Sequence, residues 1–379
     1  MNVNRENVWR EGMKKVVAFL ILFFIFILNS FSQEIIENPV KPENPRAGRI
    51  VHLEEILRIN DNEQDPFFRY PSSLSVGPDD CIYVYNDRQI YKFDALGKLV
   101  FNVVGRGQGP GEASMAVRYI PTPDGLLVLS YSPPKVMKFN RQGEFVGEKK
   151  LEKPIHLPEF VGLFDNKIYG FLEEPRLQGV TKDEAYVDFP HNLCEFDMDF
   201  KDTKIKYSFP VKNVVLKRSA WYPRARLNFI VKDSKSLFIS HTAEYKIVKF
   251  NMEENKVEKI FNRKYKRIKY PPELNPKPRA GVITSPPREY YYDIATLLVY
   301  NDRLWVVTST RDKNNNRLVD VYDMEGKYVD SFYLAYPEGR RPRNFGYGTV
   351  AVKGSHLYSV DEDEEGFFSI AIYSVIDDR

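Results

Sequence analysis

Ile82-Tyr83-Val84, followed by Ile90-Tyr91-Lys92-Phe93-Asp94-Ala95-Leu96-Gly97-Lys98, decides the fold. The phrase is an apolar run, a polar break, and a second apolar run ending in an aromatic residue, an acid and a turn. It returns as Leu126-Leu127-Val128-Leu129, then Val136-Met137-Lys138-Phe139-Asn140-Arg141-Gln142-Gly143-Glu144. A period of roughly fifty residues marks stacked units, none of which buries its apolar face alone. Aligning the aromatic-Asp/Asn pair gives six copies: Phe93-Asp94, Phe139-Asn140, Phe196-Asp197, Phe250-Asn251, Tyr322-Asp323 and a degenerate Tyr373-Ser374. In the first, second and fifth copies a Gly stands three residues after the Asp or Asn, as Gly97, Gly143 and Gly326. An Asp or Asn that caps its own backbone, followed by Gly in the left-handed region, is hairpin chemistry. Phe200 and Glu254 take that place in copies three and four, which predicts turns of different build there.

Upstream of each landmark a turn pair such as Asp124-Gly125, Asp165-Asn166 or Asn301-Asp302 separates two apolar strands. Four antiparallel strands per unit and six units predict an all-β fold, a six-bladed β-propeller. The last copy ends at Ser369 to Val375 with no room for a fourth strand. Ile50 to Ile59 supplies it, so an N-terminal strand completes the last blade and removes both open sheet edges. The propeller is placed at 49–379, with Pro39, Pro42 and Pro45 marking 33–48 as a mobile lead-in.

These repeats, with Gly105-Arg106-Gly107-Gln108-Gly109-Pro110-Gly111-Glu112 after the first, resemble the NHL-repeat-like six-bladed propellers of exported bacterial proteins. The resemblance covers roughly residues 49–379 and is strongest in blades one, two and five. It implies a fold and a setting outside the cytoplasm, not an activity. Gly105 to Glu112 lacks the Lys-Ser/Thr and the helix of a phosphate loop, so it reads as an inter-blade connection.

Residues 1–32 carry the address. Lys14 and Lys15 precede an apolar run from Val16 to Leu28, and Ser30 and Ser32 suit signal-peptidase cleavage after Ser32. The run is shorter than the roughly 20 residues of a comfortable membrane span. An exported chain, periplasmic or secreted, is therefore expected. Cleavage would remove four basic and two acidic residues and lower the formal charge from +3 to +1. That balance offers no field for nucleic acid. The 2 cysteines, Cys81 and Cys194, sit in different repeats and read as small apolar residues.

Candidate recognition residues follow from the alignment. Tyr70, Met115, His156, Arg224, Tyr292 and Phe345 fall at one level of a central mouth, and Ser73, Arg118, Glu159, Leu227, Ala295 and Gly348 at a deeper one. Arg69, Arg226 and Arg343 lie nearby in sequence. Tyr70, Arg118, His156, Glu159, Arg224, Arg226, Tyr292 and Arg343 form the predicted ligand set. Rings and guanidinium forks suit an anionic, sugar-like or peptide ligand. The bland alternative is that Arg118 and Glu159 neutralise each other across neighbouring blades.

The 5 His show no zinc spacing, although His156, His191 and His241 all map near the same face. Asp361 to Glu365 could offer Ca²⁺ oxygens but lacks calcium-loop spacing, and reads as a solvated acidic turn. No cofactor or metal is specified. Two insertions, Leu172 to Leu193 and the Pro-rich Lys264 to Tyr292, fall on the mouth face, as specificity loops or as disordered excursions. The expectation is a monomeric binding or scaffold module for a small molecule, glycan or peptide or protein ligand. The alternatives are a metal-dependent enzyme, as the resemblance to propeller lactonases and lyases would imply, and an envelope assembly scaffold.

Overall fold

A computed structural model describes residues 34–60, 68–114, 117–151, 159–175, 184–216, 220–277, 284–342 and 348–377. The strands form six antiparallel blades around one axis. The inner strands are Ser72–Val76, Val117–Thr122, Glu159–Phe164, Asn228–Val231, Ile294–Tyr300 and Val350–Lys353. Each is followed outward by two further strands and an outer one. In blades one to five the outer strands are Leu99–Val103, Phe145–Lys150, Thr203–Leu216, Lys256–Arg263 and Tyr328–Ala335. The tight first turns use the expected chemistry: Asp165 and Asn166 both have positive φ, as do Asn301 and Asp302.

Arg49–Ile59 is the outer strand of blade six. Its residues 52–59 pair antiparallel with Phe368–Ile376, and its first four residues, 49–52, pair in parallel with the outer strand of blade five. Blades five and six are thereby joined through the closing strand in one continuous sheet. Arg58 pins the register: it is almost wholly buried, reaches Asp361 at 3.3 Å, and donates to the Tyr373 hydroxyl at 3.0 Å. A one-residue slip would turn this charge outward and bury a neighbour instead.

Several expectations are corrected. The segment ahead of the closing strand is held, not mobile: Glu34–Asn38 pairs in parallel with the outer strand of blade four. Asn44 and Gly48 then donate backbone bonds to Val329 and Ser331 on blade five. The turn of blade three is built like those with Gly, because Phe200 itself adopts φ 53° and donates its N–H to Asp197. Its ring is buried against Phe196 and Phe160, which offsets the strained backbone. Blade four's turn is one residue longer, with Asn255 at φ 53°. Asp361 is fully buried, and in the acidic run only the following turn is solvated.

The repeated phrase also joins neighbouring blades. Lys92, Lys138 and Lys249 precede the aromatic-Asp/Asn pair, and each reaches the corresponding turn of the next blade. Lys92 donates to the Arg141 carbonyl at 3.2 Å, Lys138 meets Asp199 at 3.4 Å, and Lys249 meets Glu325 at 3.1 Å. The turn glycines face the outer strand of the preceding blade. A Cβ on Gly326 would lie 2.8 Å from the Phe261 ring, and one on Gly97 would lie 3.0 Å from Leu57 and Ile59. Leu57 and Ile59 belong to the closing strand, so blade one treats it as any other outer strand. Blades four and five share a buried acid as well: Asp320 accepts from Tyr245 and Tyr328, each at 2.8 Å, and pairs with Arg263 at 2.6 Å.

Gly326→Ala places a methyl against a fully buried ring at φ 89°. A loss of about 1–3 kcal/mol is expected in urea unfolding. In a Phe261→Ala background the same change should cost clearly less; additive losses would contradict the inter-blade contact.

Candidate functional site

The six inner strands enclose an axial cavity of about 700 Å³. It runs from Ser73, Arg118 and Gly348 near the strand starts to Pro78, Pro123, Asp165 and Asn166 at the first turns. Between these ends the wall is apolar, with Leu74, Ile120, Phe160, Ile230, Leu297 and Ala351 drawn from all six blades. Side chains alternate between the two faces of each blade and pack against its neighbours, as Leu297 does toward blade four and Leu298 toward blade six, so the inner edge of each strand lines the channel. Tyr119 donates its hydroxyl to the Ser73 carbonyl, which locks blade two to blade one at the strand starts.

Polar groups gather at the end where the strands begin. Arg118 lies in the cavity wall and donates Nη1 to its own neighbour, the Val117 carbonyl, at 3.4 Å. Its buried Nε has no hydrogen-bond partner among the described residues. Glu159 opens the next inner strand. Burial raises its pKa, the charges of Arg118 and Arg226 oppose that rise, and Glu173 adds to it. Among the described residues Glu159 and Arg118 form no ion pair within 4.0 Å, although the Arg118 charge is the largest acting on Glu159. Beside them, Tyr292 donates to the Pro223 carbonyl at 2.9 Å and lies under the Arg288 guanidinium at 4.7 Å. Burial raises its pKa, against the pull of Arg288, Arg226 and Arg224. Arg224 donates to the Pro287 carbonyl at 3.3 Å, and its Nε is also buried without a partner among the described residues.

The predicted set thus divides. Arg118 lines the cavity, Arg118 and Arg226 act on the Glu159 charge, and Arg224 and Arg226 act on Tyr292. Tyr70 is 63% exposed on the rim, where its backbone N–H meets Asn86 Oδ1, and it does not line the cavity. His156, Arg343, Met115 and Phe345 lie outside the described residues. Alignment missed the apolar wall, and it missed Arg288.

Both insertions are structured where they are described. Glu184–Phe196 pairs with Thr203–Leu216 along their whole length, so most of the first insertion is strand. In the second, Lys269 bridges Tyr290, the tilted rings of Tyr270 and Tyr291 meet at 4.8 Å, and Arg267 pairs with Asp293 at 3.1 Å. His191 and His241 approach each other on this face, with Glu173 4.0 Å from His191. No group of three or more His, Cys, Asp or Glu side chains suited to a metal ion occurs among the described residues. The two cysteines are free, Cys194 buried and Cys81 half-buried.

Comparison with known proteins agrees with this geometry. A family model described as a 6-bladed β-propeller, DUF5128, matches residues 67–220. The relationship is one of fold. A DUF4221-family protein from Bacteroides vulgatus superposes with a TM-score of 0.52 at 10% identity, covering 86% of this chain and 99% of that one. A Bacteroides fragilis protein provisionally described as exported gives 0.49 at 12% identity, covering 90% and 99%. No curated protein matches the sequence.

Burial, then the nearby His241, lowers the His191 pKa from 6.5 to about 4. The folded state therefore holds His191 neutral where the unfolded chain binds a proton. Its contribution to stability is complete above pH 6.5 and is lost as pH falls toward 4. In urea titrations across pH 4–7, His191→Gln should show a shallower fall in stability with acidification than the parent. Parallel curves would contradict a buried neutral imidazole.

Proposed function

We propose that this chain is an exported, NHL-like propeller that binds an amphipathic small molecule in its axial channel. The ligand's apolar body lies against the inner-strand wall, and its anionic end meets Arg118 at the polar mouth. One observation carries the reading: a cavity of about 700 Å³, apolar along its length, ends at a guanidinium whose buried Nε has no partner among the described residues. The volume lies within the roughly 300–1,000 Å³ of small-molecule sites, and a few placed polar groups over an apolar lining is their usual design. Arg226 acts on Glu159 together with Arg118, and Arg224, Arg226 and Arg288 act on Tyr292, a cationic surrounding that favours an anion over a neutral or cationic end. The leader at 1–32 supports export. Among the described residues no helix is long and apolar enough to cross a membrane.

Dodecanoate, an anionic head on an apolar chain, is the test ligand. Calorimetry should detect its binding to the mature chain. Arg118→Ala should weaken binding on the order of tenfold, the effect of losing one charged hydrogen bond. Ala351→Trp, which fills the channel, should abolish binding. Unchanged affinity in both folded variants would contradict the proposal.

A further inference from the structure

A second polar pocket lies away from the axis, between blades five and six, on the face where the inner strands begin. It measures about 500 Å³ and is lined by Arg311, Arg317, Arg340, Arg341 and the side chains of 314–316, with Glu338 and Glu362 at its edge. Arg311 and Arg317 are direct cross-strand partners on either side of the Asp312–Asn316 turn. Like charges set opposite each other in an antiparallel pair destabilise it.

Asp312, Glu362 and Asp363 each have partners other than Arg311. Asp312 accepts backbone N–H groups of Asn314 and Asn316 at 2.9 and 2.8 Å. Glu362 meets Arg341 at 3.4 Å, and Asp363 meets Arg340 at 3.4 Å. Arg311 has no carboxylate within ion-pair distance among the described residues; its Nη1 donates to Asn315 Oδ1. Burial and the Arg311 charge together push the Arg317 guanidinium down to about 10.

We infer that this pocket is a binding site for a sugar-sized ligand carrying a phosphate or sulfate ester, with Arg311 and Arg317 clasping the oxyanion. Two neighbouring guanidiniums match a tetrahedral oxyanion better than a single carboxylate, Arg317 at the same time holding the Thr308 carbonyl through Nη1 at 3.2 Å. A bare inorganic ion would leave most of about 500 Å³ to water. The neutral amides at 314–316 suit the hydroxyls of an attached polar body. The two guanidiniums repel each other in the empty protein and both gain when the anion binds.

Calorimetry with glucose 6-phosphate, glucose 6-sulfate, inorganic phosphate and glucose tests this on the mature chain. Either ester should bind, more tightly than inorganic phosphate, and glucose should not; the tighter ester identifies the source of the anion. Arg311→Ala should weaken the ester on the order of tenfold or more. The same variant should melt above the parent when unliganded, because the repulsion is gone, and should bind dodecanoate as the parent does. Arg118→Ala should leave ester binding unchanged, which separates this site from the channel. Absence of ester binding at millimolar concentration, or an affinity untouched by Arg311→Ala, would overturn the inference.

Discussion

A ring of antiparallel sheets stands or falls on where its first and last strands meet. Blade six has three strands of its own, and without a fourth it would present a row of open backbone groups beside blade one. Arg49–Ile59 covers that edge and bridges to blade five in the same stroke. The buried Arg58–Asp361 pair makes the fit specific, because a charge this deep is tolerated only in the register that provides its partner. Glu34–Asn38 extends the device to blade four, so one N-terminal segment runs along the outer edges of three consecutive blades.

The other joints are smaller and repeat. A lysine reaches forward to the next turn, and that turn's glycine accepts a side chain from behind. The exposed Lys138–Asp199 pair contributes little by itself, about 0–1 kcal/mol. The close glycine contact is stricter, since it leaves no volume for a Cβ. Together they hold the inner strands at a fixed distance from the axis, and that spacing sets the channel's width. Function in this fold depends on side chains brought from different blades, as Arg118, Glu159 and Tyr292 are, so rigid joints are what place them.

Much of this was legible in the residues. The landmark Phe93-Asp94 and its copies marked the third strands and their turns, and the apolar run from Ile50 matched the gap left after Val375. The site was legible only in outline. Arg118 and Glu159 were found because strand starts are countable from the turns. Tyr70 was counted from the same turn as Ser73 and stands just before the first inner strand, outside the cavity lining. Phe200 hid a regular turn, since tertiary burial of its ring overrode the local preference for glycine. The Arg311–Arg317 clasp left no trace in the repeat pattern, because it depends on a hairpin extended beyond the blade.

Hydrogen exchange followed by mass spectrometry on the mature chain tests the closing strand most directly. Amides of Leu53 to Ile59 should be protected to the same degree as those of Ile370 to Val375 and should open with the whole domain. Early exchange of Leu53 to Ile59, at the rate of a fraying terminus while Ile370 to Val375 stays protected, would contradict closure by this strand.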